Sequence, residues 1–208
     1  MHRWLRVLAV LGVSGLGIVG LALLRNPDAS LASAPGEVMA PLETVPLTQP
    51  LLFEGFEAGF SPLECRYRLG DDLKTHWCLY ATTGWEDKQW QQTELNQPVH
   101  NGDYSIRHED TKLGQQADSW LVTPMITPTM DSELVFWQYE QYPNYYQQHS
   151  VMISTQRGDP KYDEFTAFVA DLGPSTETLW EPMTLSLSSY AGQPIFLAFR
   201  YGAEGDGD

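Results

Sequence analysis

Tyr139, Tyr142, Tyr145 and Tyr146 fall within eight residues of one another and are interleaved with Gln138, Gln141, Gln147 and Gln148. Aromatic faces stack on sugar rings, and side-chain amides can both donate to and accept from hydroxyls. Tyr142, Tyr145 and Tyr146 are therefore candidate ligand-binding residues. The plainer use of the same cluster is a hairpin whose tyrosines cover a sheet edge, and that use is the commoner one. Arg157-Gly158-Asp159 is the tripeptide read by integrin-type receptors, but Gly158-Asp159-Pro160 makes a good turn on its own. The turn is the preferred reading.

Catalytic patterns are missing from the sequence. His108-Glu109 lacks the second histidine of a zinc-protease helix. There is no Gly-x-Ser-x-Gly elbow and no phosphate-binding glycine loop. Acidic pairs such as Asp71-Asp72 could serve a glycosidase, but so many acids make any one pair uninformative. The two cysteines, Cys65 and Cys78, are read as a disulfide in an exported chain. The loop they close is about 14 residues, and such a crosslink is worth roughly 3 kcal/mol in the chain-entropy view. A metal site or reactive thiol is the lesser alternative, since only His76 lies nearby in sequence.

The chain has 208 residues, with 27 Asp and Glu against 12 Lys and Arg. A surface this acidic repels phosphate backbones, so nucleic acid is excluded as a natural partner. The 7 Trp and 10 Tyr separate it from disordered acidic tails, which lack aromatics. The N-terminus reads as an export signal over residues 1–32. His2, Arg3 and Arg6 precede an uncharged apolar run from Val7 to Leu24, and Ser30-Leu31-Ala32 suits cleavage after Ala32. Such a run is expected to be helical. As an uncleaved anchor it would span roughly 27 Å, although Gly12, Gly15, Gly17 and Gly20 weaken that use. The expected location is secreted, periplasmic or cell-surface, with the membrane touched only through an uncleaved N-terminal segment.

Residues 33–50 read as a linker carrying Pro35, Pro41, Pro46 and Pro50. Residues 51–208 form the folded domain. A first strand opens at Leu51 and ends by Gly59. Further strands are expected at Cys78–Ala81, Asp103–His108, Ser119–Val122, Leu134–Tyr139, Ser150–Ser154, Phe165–Leu172, Glu181–Ser186 and Ile195–Tyr201. Pro182 makes the seventh of these later strands an edge strand. Turns fall at Asn101-Gly102, Gly158-Asp159-Pro160, Gly173-Pro174 and Ala191-Gly192. Many short strands between frequent turns predict an all-β fold, a β-sandwich of two antiparallel sheets. The final run Gly202 to Asp208 is a turn-rich acidic loop with no strand behind it, and the domain is expected to be truncated there.

Six pieces, in order, resemble the cleaved-adhesin or choice-of-anchor J family, relatives of MAM-type jelly rolls. They are Phe53-Glu54-Gly55-Phe56-Glu57, His100-Asn101-Gly102-Asp103-Tyr104-Ser105, Trp120-Leu121-Val122-Thr123-Pro124, Leu134-Val135-Phe136-Trp137, Val151-Met152-Ile153-Ser154-Thr155, and Trp180 followed by Leu185 to Arg200. The resemblance covers about Leu52 to Asp208. The Cys65–Cys78 insert has no counterpart in the family pattern, and the family's closing strand is absent after Asp208. The resemblance implies a jelly-roll sandwich, sometimes with a structural calcium, used outside the cell to bind glycans or surface proteins without catalysis.

Calcium takes several oxygen ligands from carboxylates and carbonyls. Glu57, Asp103, Asp206 and Asp208 are the candidate ligands, because first and last strands of a jelly roll lie close. Solvated turn acids are the alternative. The functional expectation is a non-catalytic adhesion or binding module for a glycan or surface protein. The second expectation is an accessory domain of a larger secreted hydrolase such as a peptidase, and the third is a glycoside hydrolase of jelly-roll fold.

Overall fold

The computed structural model describes residues 4–13, 51–57, 59–60, 62–65, 72–83, 90–93, 99–109, 116–140, 148–162, 165–169, 171–173 and 179–203. Twelve strands are found among them: β1 (Trp4–Val13), β2 (Leu52–Phe53), β3 (Leu63–Glu64), β4 (Cys78–Thr83), β5 (Trp90–Gln92), β6 (Ile106–Glu109), β7 (Ala117–Val122), β8 (Ser132–Glu140), β9 (Gln148–Ser154), β10 (Thr166–Val169), β11 (Glu181–Ser186) and β12 (Phe196–Ala203). The described helical pieces are short: the four-residue Asp72–Thr75 and two single 3-10 turns, Pro160–Tyr162 and Ser188–Tyr190. The fold is all-β.

The strands form two sheets. One runs β11-β8-β1-β6-β5, with β2 also on β1; the other runs β10-β9-β12-β7-β4-β3. All pairings are antiparallel except β3 with β4, which is parallel. From β4 onward the chain passes repeatedly from one sheet to the other, as a jelly-roll sandwich requires. The sheets face each other across an apolar core. Phe136 of β8 meets Phe199 of β12 edge-on at 5.3 Å between ring centroids. Leu121, Leu134, Phe136, Val151, Ile195 and Leu197 are fully buried there. Period-2 alternation explains the layering: Leu197, Phe199, Tyr201 and Ala203 point into this core, while Phe196 and Ala198 point to the other face of their sheet.

That other face carries a second small core. Tyr80, Trp120, Val122, Met152, Phe196 and Ala198 pack there with Cys65 and Cys78. The expected disulfide joins Cys65 to Cys78, with α-carbons 5.4 Å apart, and both cysteines are buried. The crosslink thus ties the segment before β4 down onto the outside of the sheet. Arg200 lies over the Trp120 ring at 4.9 Å and donates from Nε to Asp118 Oδ1 at 2.7 Å.

Two expectations are corrected. Residues expected to open a signal helix are instead an extended strand, β1, lodged between β8 and β6. The physical reason is that an apolar run without polar alternation carries no period that separates a central strand from a helix. The first strand expected at Leu51–Glu57 is cut short at Phe53, because Phe56 turns into the left-handed region, with φ 58°. Pro182 does lie on an edge strand, since β11 ends its sheet.

Candidate functional site

Strand β8 has apolar residues on both of its faces. Leu134 and Phe136 are fully buried in the core, while Val135 and Trp137 are half-buried, Trp137 at the margin of the core cluster. Trp137 pairs with Pro182 across the β8–β11 ladder, and Pro182 is exposed, so Trp137 lies on the outer face. Glu181 pairs with Gln138. One position further along, Trp180 reaches Tyr139, with ring centroids 5.5 Å apart. The turn before β6 adds His100, which stacks on Trp137 at 4.0 Å with planes 20° apart. Trp180 meets the same imidazole edge-on at 5.8 Å.

The result is a patch of four rings, His100, Trp137, Tyr139 and Trp180, on the outside of the sandwich. Trp137, Trp180 and His100 are half-buried and Tyr139 is buried. Nδ1 of His100 is buried and has no hydrogen-bond partner among the described residues. Rings in such a patch offer π faces to C–H groups and edges to polar atoms.

The turn that carries His100 is held by a carboxylate from far away in sequence. Glu57 Oε2 accepts the backbone N–H of Asp103 at 3.1 Å. Gly102 has φ +74°, and a Cβ there would collide with the Glu57 carboxylate. The loop that presents Glu57 is itself fixed. Glu54 Oε1 accepts the N–H of Phe56 at 2.7 Å, and Gln92 Nε2 donates to the carbonyls of Phe56 and Glu57 at 2.7 and 2.9 Å. Burial raises the Glu54 carboxyl above its ordinary value; the N–H groups of Phe56 and Gly55 oppose this, and the charge of Glu57 adds to it.

Two of the four candidate calcium ligands, Glu57 and Asp103, are thus neighbours. Asp206 and Asp208 lie outside the described residues. The described residues by themselves do not fit a calcium shell. One oxygen of Glu57 is engaged by the Asp103 N–H, the nearby carbonyls of Phe56 and Glu57 are engaged by Gln92, and among the described residues no group of three or more potential ligands gathers. Tyr142, Tyr145 and Tyr146 also lie outside the described residues. They follow β8 directly in sequence, after Tyr139 of the ring patch.

The Arg157-Gly158-Asp159 turn is not presented to solvent as a recognition loop. Asp159 is buried, its Oδ1 accepts the N–H of Lys161 at 2.9 Å, and Gly158 lies against the Phe196 ring. The residues that sequence reasoning missed are His100, Trp137 and Trp180 as a group. The available signal was the run Leu134-Val135-Phe136-Trp137, apolar at both parities where one-sided burial alternates with polar residues.

No protein-family model matches the chain. It is 25% identical over 151 residues to Hemagglutinin A of Porphyromonas gingivalis, and equally so to Hemagglutinin A of strain W83 of that species; each match takes in 62% of this chain. The chain spans only 6% and 7% of the length of those two relatives. Among solved structures it is similar to the K1 cleaved adhesin domain of Lys-gingipain from Porphyromonas gingivalis W83, at 22% identity and a TM-score of 0.47, over 61% of this chain and 81% of that one.

Proposed function

We propose that the domain is a non-catalytic adhesion module, secreted or held at the cell surface, that binds glycan on the outer face around Trp137. The observation that supports this reading is the His100–Trp137 stack with Trp180 edge-on beside it, half-buried at the margin of the core on a sheet face that ordinarily carries polar residues. A pyranose laid on the exposed part of the Trp137 and Trp180 rings meets π faces. Tyr142, Tyr145 and Tyr146, which follow β8 in sequence, are proposed as further ligand-binding residues. A surface protein is the alternative partner and would use the same rings.

The test is binding of the intact chain and of Trp180→Ala and Trp137→Phe to a glycan array and to cells. Loss of binding in Trp180→Ala, with the thermal melt unchanged, supports the reading. Equal binding by both variants removes this face from consideration.

A second reading is an accessory domain of a larger secreted hydrolase such as a peptidase. It is supported by the great length of the Hemagglutinin A relatives compared with this chain. A peptidase domain encoded in the same reading frame would favour it. A structural calcium at the Glu57–Asp103 corner, completed by Asp206 and Asp208, is a further proposal, supported by the contact that brings Glu57 to the Asp103 backbone.

A further inference from the structure

Strand β1 occupies a position that its own sequence makes removable. It lies in the interior of its sheet, paired with β8 over nine positions from Leu5–Glu140 to Val13–Ser132. Its other edge pairs with β6 from Trp4–Glu109 to Val7–Ile106, and with β2 at Val10–Phe53 and Leu11–Leu52. Yet residues 1–32 have the charge and hydropathy pattern of a cleavable export signal. Cleavage after Ala32 would free β1 from the covalent chain. The strands on either side would then stand about 10 Å apart, two strand spacings, with their inner edges unpaired.

An open slot there is costly. Leu134, Phe136 and Ile106 are fully buried beside it, and β2 has its described pairing only through β1. Unpaired N–H and C=O groups inside a sheet are strong templates for another strand. The slot also has a definite chemical preference. On β8, Leu134 and Phe136 are fully buried in the core, while Val135 and Trp137, at the other parity, are half-buried. A strand alongside therefore needs apolar residues at both parities, not the alternation of an ordinary surface strand. Val7-Leu8-Ala9-Val10-Leu11-Gly12-Val13 has that composition.

We propose that the gap between β6 and β8 is a strand-acceptor groove that binds an extended, predominantly apolar peptide antiparallel to β8, with Trp4–Val13 as its resident strand in the intact chain. The groove binds by main-chain pairing, and it selects strands apolar on both faces and free of proline.

Two measurements on the full chain test this. In the first, Val10→Cys is combined with Val135→Cys, its register partner, or with Gln138→Cys, three positions away. The groove predicts a disulfide in the first pair only. In the second, a specific protease site is placed within residues 33–50 and cut in the folded protein. A labelled synthetic peptide of residues 4–13, carrying a solubilising lysine tail, is then added. It is expected to exchange into the cut protein and keep the amides of β8 protected from hydrogen exchange, or to restore that protection where cutting has abolished it. The Ala9→Pro peptide is expected not to bind, and one with Val7, Ala9 and Leu11 changed to Glu is expected to bind at least tenfold more weakly. The proposal is overturned if no Val10–Val135 disulfide forms. It is also overturned if the cut chain sheds residues 1–32 with β8 protection unchanged, or if it loses protection that the peptide does not restore.

Discussion

The carboxylate of Glu57 fills the space that a side chain on residue 102 would need, and its Oε2 accepts the N–H of Asp103 across 46 residues of sequence. This contact fastens the opening loop of the domain to the turn that carries His100. It gives a physical reason for two separate pieces of the sequence, Phe53-Glu54-Gly55-Phe56-Glu57 and His100-Asn101-Gly102-Asp103. The first supplies an acceptor, and the second supplies a donor beside a residue with no Cβ. Phe56, with φ 58° and fully buried, is held in its unfavourable conformation by Glu54 on one side and Gln92 on the other.

Gly102→Ala is expected to destabilise the domain by about 1–3 kcal/mol, because a Cβ meets the Glu57 carboxylate and the positive φ is itself unfavourable. Combining it with Glu57→Ala should recover part of the loss, since the collision disappears while the backbone strain remains. Denaturant melts of the two single variants and the double variant measure the coupling. Additive effects would mean that the two residues act separately.

Much of the sandwich was legible in the sequence because alternation, turn residues and the proline rule act locally. The strand expected at Glu181–Ser186 has those bounds, and Pro182 lies at the sheet edge. Strands of two or three residues, such as Leu63–Glu64 and Trp90–Gln92, are too short to show a period. The run that opens at Val7 reads as helix because a uniformly apolar stretch carries no period at all. The ring patch was only half legible. Trp137 breaks the one-sided pattern of its strand, but its meeting with His100 depends on the Glu57 contact, which no local signal announces.

Loss of the Cys65–Cys78 crosslink is expected to cost roughly 3 kcal/mol, the loop-closure value for residues 13 apart. For a chain of this size that corresponds to a melting temperature lower by about 6–12 °C. Cys65→Ser with Cys78→Ser, followed by calorimetry, reads the shift. The outer cluster of Tyr80 and Trp120 should loosen with it, and tryptophan emission should move to the red. An unchanged melt would mean that the segment stays docked by packing alone.

Stability should fall with rising pH at Glu54. Its folded carboxyl titrates above the ordinary 4.5, chiefly through burial, so the native state holds the proton more tightly than the unfolded chain. The contribution is fully present below about pH 4.5 and is lost as the pH rises through the folded value. Glu54→Gln keeps an acceptor for the Phe56 N–H but cannot ionise. Its melting temperature relative to the parent should therefore rise between acid and neutral pH. A difference independent of pH would show that ionisation of Glu54 does not matter to the loop.

Calcium binding would reverse that trend, because a divalent cation beside Glu57 and Asp103 favours the ionised form of every nearby carboxylate. If the proposed site is completed by Asp206 and Asp208, chelation should lower the melting temperature, and added calcium should restore it where magnesium does not. A ligand present at a hundred times its Kd adds about 2.7 kcal/mol, or about 5–11 °C for a chain of this length. Asp103→Asn keeps the backbone N–H that Glu57 accepts and removes one charge. It should therefore weaken the calcium response while leaving the metal-free melt nearly unchanged. A parent protein whose melt does not respond to chelator would assign Glu57 wholly to the turn, where its bond to Asp103 already gives it a structural task.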